Sequence, residues 1–177
     1  MMIAISVAIL IIIAGLLALV IRLVAMPKKL ETVKKLLKQG KNQAAAKLAK
    51  QISAKDPQNY SVRYYLGKAY LADNRGELAL IEFKTVNEHA LFDSNLPEIP
   101  FRKEFAALLV KYRQIEAALK EYLLLTKLDP TCSDNYFNAA KLYEMTNRKD
   151  LALSIYKKCI ALNPKNAKAH AGVQRAG

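Results

Sequence analysis

Histidine and cysteine are scarce, with two of each in 177 residues. His89 and His170 have no cysteine, carboxylate or second histidine at ligand spacing, and Cys132 and Cys159 form no CxxC pair. Metal coordination needs several such side chains converging at fixed intervals, so no metal site is expected. The phosphate-cradling pattern GxxxxGK[ST], the dinucleotide pattern GxGxxG and the nucleophile pattern GxSxG are also missing. The chain therefore does not read as an enzyme, and no cofactor is expected. Acidic residues are in short supply as well: 15 Asp and Glu stand against 28 Lys and Arg, a formal net charge of +13. Glu77, Glu82, Glu116 and Glu121 have basic residues nearby and read as carboxylates on solvated helix faces. Cys159 reads as a buried core thiol and Cys132 as an exposed one, with no disulfide between them.

What the sequence has in abundance is apolar residues, 53% of the total, and many of them sit together. Ile3 to Ile21 holds 19 consecutive residues without a charge, with Ser6 the only strongly polar one. At about 1.5 Å per residue this run spans most of a hydrocarbon core of about 30 Å, and Leu23 to Met26 extend it past Arg22. Residues 1–26 are therefore expected to be a transmembrane anchor. A cleaved secretory signal is the rival reading, but Met1-Met2 supplies no positive n-region and the run is longer than an ordinary signal core.

Charge after this run is one-sided. Arg22, Lys28, Lys29, Lys34, Lys35, Lys38, Lys41, Lys47 and Lys50 stand against Glu31 alone, and no charged side chain precedes the run. Basic flanks stay on the cytoplasmic side of a span, so residues 27–177 are expected in the cytoplasm. Arg22, Lys28, Lys29, Lys34 and Lys35 are candidates for contact with the membrane surface. They either rest against anionic headgroups or only enforce topology and solubilise an exposed face.

From Tyr60 to Val86 apolar and small residues recur at helical spacing in two blocks, Tyr60 to Ala72 and Glu77 to Asn87, around the polar Asp73-Asn74-Arg75-Gly76. That pattern predicts two helices facing each other across a short turn. Gly67 and Ala79 let the backbones approach, and Tyr70 and Phe83 fill the space around them. One such pair cannot bury its own faces, and the pattern does repeat. Ala45, Ala79, Ala118 and Ala152 recur at spacings of 34, 39 and 34, and Pro57, Leu91, Pro130 and Pro164 follow in the same register.

A 34-residue period with this content resembles the tetratricopeptide repeat (TPR) family, over Met26 to about Arg175. The resemblance implies an all-α, right-handed solenoid of four helical hairpins with a C-terminal capping helix, preceded here by one transmembrane helix. The repeats fall at about 26–59, 60–93, 99–132 and 133–166, with the cap at 167–177. The first repeat is degenerate, with Val33 and Leu36 on its first helix and Ala49 where an aromatic is usual. Pro27 is expected to open that first helix.

The spacing of 39 marks an insertion. Residues 91–101 carry Pro97 and Pro100 and are expected to form a loop. Leu91, Phe92, Leu96, Ile99 and Phe101 either fold it back on the repeats or present it to a partner.

In the family, the first helix of each repeat lines a groove that selects the ligand. On this chain the resemblance assigns Tyr64, Lys68, Lys103, Phe137, Asn138, Lys141 and Lys168 to that face, a basic surface with aromatics interleaved. It implies a protein or peptide partner, acidic or with a free C-terminus. One subfamily clamps a terminal carboxylate, and Lys103, Asn138 and Lys168 match its register, whereas Ala107 and Gly172 do not supply the remaining Asn and Arg. Nucleic acid is not the expected partner, because no such module is present and the densest positive cluster lies beside the anchor. The resulting expectation is an adaptor that holds a partner at the membrane. The alternative is a structural subunit of a large membrane-associated assembly of the secretion or flagellar-motor type, possibly periplasmic.

Overall fold

The computed structural model describes residues 2–177; within the first helix the side chains of residues 2–8, 18–19 and 21–27 lie outside the described set. Among the described residues the chain forms nine α-helices and no strand. They are α1 (Met2–Lys38), α2 (Asn42–Lys55), α3 (Tyr60–Ala72), α4 (Gly76–His89), α5 (Glu98–Lys111), α6 (Ile115–Leu128), α7 (Ser133–Met145), α8 (Lys149–Leu162) and α9 (Ala167–Ala176). They are organised in two compact units, Met1–His89 and Ala90–Gly177.

Each hairpin turns in the same way. Gly40, Asn74, Arg113 and Asn147 adopt left-handed backbone with φ of 70°, 56°, 57° and 58°, in the register of the four alanines. The residue after each donates its N–H back into the helix just completed: Lys41 to Leu36 O, Arg75 to Tyr70 O, Gln114 to Leu109 O and Arg148 to Tyr143 O, at 2.8–2.9 Å. These bonds satisfy carbonyls that a helix end leaves without partners. Ala45, Ala79, Ala118 and Ala152 are completely buried, where a larger side chain would force the paired helices apart.

In the first unit the C-terminal part of α1 packs on α2 and α3, α2 on α3, and α3 on α4. Leu30, Val33, Ile52, Val62, Leu66 and Phe83 form its core. The Asn59 side chain starts α3 by accepting from Val62 N at 3.1 Å. The Phe83 ring lies directly over Gly67, so the glycine is required by close approach.

In the second unit α5 packs on α6, α6 on α7, α7 on α8, and α8 on α9. Asn166 caps α9, accepting from Ala169 N at 3.0 Å, and the buried Asn135 donates to Leu125 O at 3.3 Å. Tyr156 and Cys159 are fully buried in a cluster with Ala140, Ala152, Ala169 and Ala176. Burial pushes the Cys159 thiol above its ordinary pKa, which suits an inert core residue.

Several sequence expectations change. Helix α1 continues through Pro27, so the proline opens no helix; helix-favouring residues on both sides carry the backbone past the lost hydrogen bond. The insertion is shorter than 91–101, because α5 starts at Glu98. Pro100 stands in its first turn, where N–H groups have no intrahelical partner. The preceding segment folds back: Leu96 is buried, and the Phe92 ring lies 5.5 Å from that of the buried Phe101. Asp93 Oδ1 closes the turn by accepting from Asn95 N and Leu96 N, both at 2.8 Å, while Leu91 stays 91% exposed. Glu82 and Glu121 are not solvated carboxylates. They tie paired helices together through Arg63 at 2.9 Å and Arg102 at 2.7 Å, at equivalent places in repeats two and three.

Among the described residues no helix is long and apolar enough to cross a membrane. Much of the anchor expected over 1–26 falls on the side chains outside the described set. The large apolar side chains that are described there, Ile9 to Ile13, Leu16, Leu17 and Val20, are 51–67% exposed.

Candidate binding cleft

Helices α7 and α9 bound a cleft of about 540 Å³ in the second unit, lined by Phe137, Lys141, Glu144, Met145, Tyr156, Lys168, Ala171 and Arg175. Helical spacing explains the lining. Phe137, Lys141, Glu144 and Met145 share one face of α7, and Lys168, Ala171 and Arg175 share one face of α9. Tyr156 reaches the floor from α8, its ring 6.0 Å from that of Phe137.

One carboxylate organises the floor. Glu144 accepts from Arg175 at 2.6 and 3.0 Å and from the Tyr156 hydroxyl at 2.7 Å. The Arg175 hydrogen bonds hold the Glu144 carboxyl below its ordinary pKa, with burial opposing and the Tyr156 hydroxyl assisting. Burial, and then the hydrogen bond to Glu144, push the Tyr156 phenol upward. Arg175 and Glu144 cancel each other's charge, whereas Lys141 and Lys168 are exposed and have no carboxylate partner among the described residues. The cleft thus offers two uncompensated ammonium groups beside Phe137 and Met145. Such a surface suits carboxylates joined to an apolar residue.

Three of the seven sequence-assigned ligand residues, Phe137, Lys141 and Lys168, meet here. Asn138 is half-buried and does not line the cleft. Lys103 is turned to Asp129 at 3.5 Å and to Cys132 Sγ at 3.7 Å. Cys132 is consequently half-buried rather than exposed. Tyr64 is a core residue, 2% exposed, with its ring 5.8 Å from that of Phe83, so it offers no aromatic surface to a ligand. Lys68 lies over the Tyr64 ring at 5.2 Å. Gly172 cannot be the arginine of a carboxylate clamp, because the Tyr156 ring fills the place of its Cβ. Arg175, almost one turn further along α9, brings a guanidinium to the cleft instead; it and Glu144 were missed because their roles depend on the capping helix returning beside α7.

Of the residues assigned to the membrane surface, Lys28, Lys29 and Lys35 are exposed, and the Arg22 side chain lies outside the described set. Lys34 differs: it pairs with Glu31 at 2.7 Å and lies over the Tyr65 ring at 5.3 Å. No three His, Cys, Asp or Glu side chains gather to hold a metal ion among the described residues.

The family model for the tetratricopeptide repeat matches residues 36–96. No curated protein matches the chain. Solved structures similar to it include MamA of AMB-1, with a TM-score of 0.72 and 16% identity over 86% of this chain and 81% of that one. MamA 41-end from Desulfovibrio magneticus RS-1 gives 0.68 and 16%, over 85% and 82%. A tetratricopeptide repeat protein from Parabacteroides merdae gives 0.69 and 20%, over 85% and 59%. These likenesses establish the fold.

Proposed function

Taking as premise a chain built of tetratricopeptide repeats, we propose that it is a membrane-anchored adaptor whose α7/α9 cleft binds an acidic or C-terminal peptide of a partner protein. The observation carrying this reading is the meeting of Phe137, Met145, Lys141 and Lys168 around a Glu144–Arg175 pair that is already neutral. A peptide carboxylate gains from both lysines, and an adjacent apolar side chain covers Phe137 and Met145. Proteins of this fold generally act as interaction modules, which supports a binding role.

Anchoring is supported by the apolar run at the start of α1. Ile9 to Ile13 are consecutive and therefore point around the whole helix, and all are exposed. A helix that is apolar on every side needs a nonpolar environment. The basic residues after the run favour a cytoplasmic repeat domain. Holding the partner's peptide at the bilayer raises its local concentration there.

The test is a titration of the detergent-solubilised full chain with an acidic peptide ending in a free carboxylate. Lys141→Glu/Lys168→Glu weakens binding at least about tenfold, and amidating the peptide weakens it with the native chain. Affinity unchanged by the double substitution rejects the cleft and turns attention to the scaffold reading.

A further inference from the structure

We infer that the α1/α2 hairpin carries a binding site for the phosphate-bearing headgroups of anionic phospholipids, centred on the cleft between Lys29 and Lys55. The inference rests on the anchored reading of α1.

Helices α1 and α2 are antiparallel, so the C-terminal end of α2 returns to the level at which the apolar part of α1 stops. Lys29, Leu48, Gln51, Ile52 and Lys55 consequently line one cleft of about 190 Å³. Its two ammonium groups stand beside an amide and above an apolar floor, a combination that fits a phosphodiester next to the start of an acyl chain.

The charge of the hairpin points the same way. Lys28, Lys29, Lys35, Lys38, Lys41, Lys47, Lys50 and Lys55 are exposed and have no carboxylate partner among the described residues, since Glu31 is taken by Lys34. A second cleft, of about 280 Å³, continues the basic surface along α2 with Gln43, Lys47, Lys50 and Arg75, where Asp73 is the one acidic member. Eight unpaired lysines on so short a hairpin repel one another, and an anionic surface relieves that repulsion. The lysines are graded along the hairpin: Lys38 lies about 13 Å along α1 from Lys29, beyond the Debye length of about 8 Å at physiological salt. Headgroup contact therefore weakens from Lys29 and Lys55 through Lys50 and Lys47 to Lys38 and Lys41.

The full chain is reconstituted in vesicles of phosphatidylcholine, alone or mixed with phosphatidylglycerol, and the reaction rate of each lysine with an amine-specific reagent is read by mass spectrometry. Flotation is scored separately, before and after a carbonate wash. The chain should float with both lipids, and in the anionic vesicles Lys29 and Lys55 should react about fivefold more slowly. The effect should fade towards Lys38 and Lys41 and vanish in high salt. Flotation with both lipids but equal rates at Lys29 and Lys55 overturns the headgroup site and leaves the anchor standing. Flotation with anionic vesicles alone that the carbonate wash abolishes, with Lys29 and Lys55 still slowed before the wash, overturns the anchor and keeps the headgroup site; flotation with neither lipid before the wash overturns both. Slowing produced by RNA as readily as by anionic vesicles reassigns the surface to nucleic acid.

Discussion

The ring of Phe83 on α4 occupies the space that a Cβ on Gly67 of α3 would need. Gly67→Ala should therefore lower stability by about 1–3 kcal/mol. Helix propensity alone would raise it by about 1 kcal/mol, so the sign of the change decides whether close packing sets this position. Chemical denaturation followed by helical circular dichroism measures it, and adding Phe83→Leu should restore much of the loss.

Arg113 is the least suited of the four residues in left-handed turns, where the equivalent positions hold Gly40, Asn74 and Asn147. Its side chain pays a steric cost that glycine avoids. Arg113→Gly should stabilise the chain by about 0.5–1 kcal/mol, read as a higher denaturation midpoint. A lower midpoint would mean that the arginine makes a compensating contact.

These two positions mark how far the sequence could be read. The recurrence of alanine at 45, 79, 118 and 152 identified the helix pairing because only a small side chain fits where two helices cross, and all four are buried. The same pattern does not say which way an aromatic points: Tyr64 lies inside and Phe137 lines the cleft, although both were assigned to the ligand face. Nor does it say which carboxylates are enclosed, because the Arg102–Glu121 bond joins side chains on two different helices. A proline pattern alone does not separate a helix breaker from a residue of the first turn, which is where Pro100 stands in α5. Of the cleft, Phe137, Lys141 and Lys168 were legible by register, but the Glu144–Arg175 pair depends on how α9 packs.

Acid should loosen the C-terminal cap. The Glu144 carboxyl is held below its ordinary pKa by Arg175, so its contribution to stability is present above the unfolded value of about 4.3 and lost as pH falls through the folded value. The melting temperature should drop on acidification across that range, and Glu144→Gln should flatten that part of the profile. An identical slope in both proteins would exclude Glu144 as its source.

Cys132 reports the side of the membrane. It is half-buried beside Lys103, whereas Cys159 is fully buried. A membrane-impermeant maleimide should label Cys132 only after the cells are lysed, with Cys132→Ser as the control. Labelling before lysis, with any outer membrane permeabilised, would reverse the orientation and favour the scaffold reading.

Recruitment of a ligand to a bilayer tests the central claim most directly. Vesicles bearing the full chain are mixed with a fluorescent acidic peptide ending in a free carboxylate and floated through a density gradient. The peptide should rise with vesicles that carry the native chain and remain behind with bare vesicles or with Lys141→Glu/Lys168→Glu. A peptide that rises equally with the variant, or with neither form of the chain although both are inserted, would contradict an adaptor acting through the α7/α9 cleft.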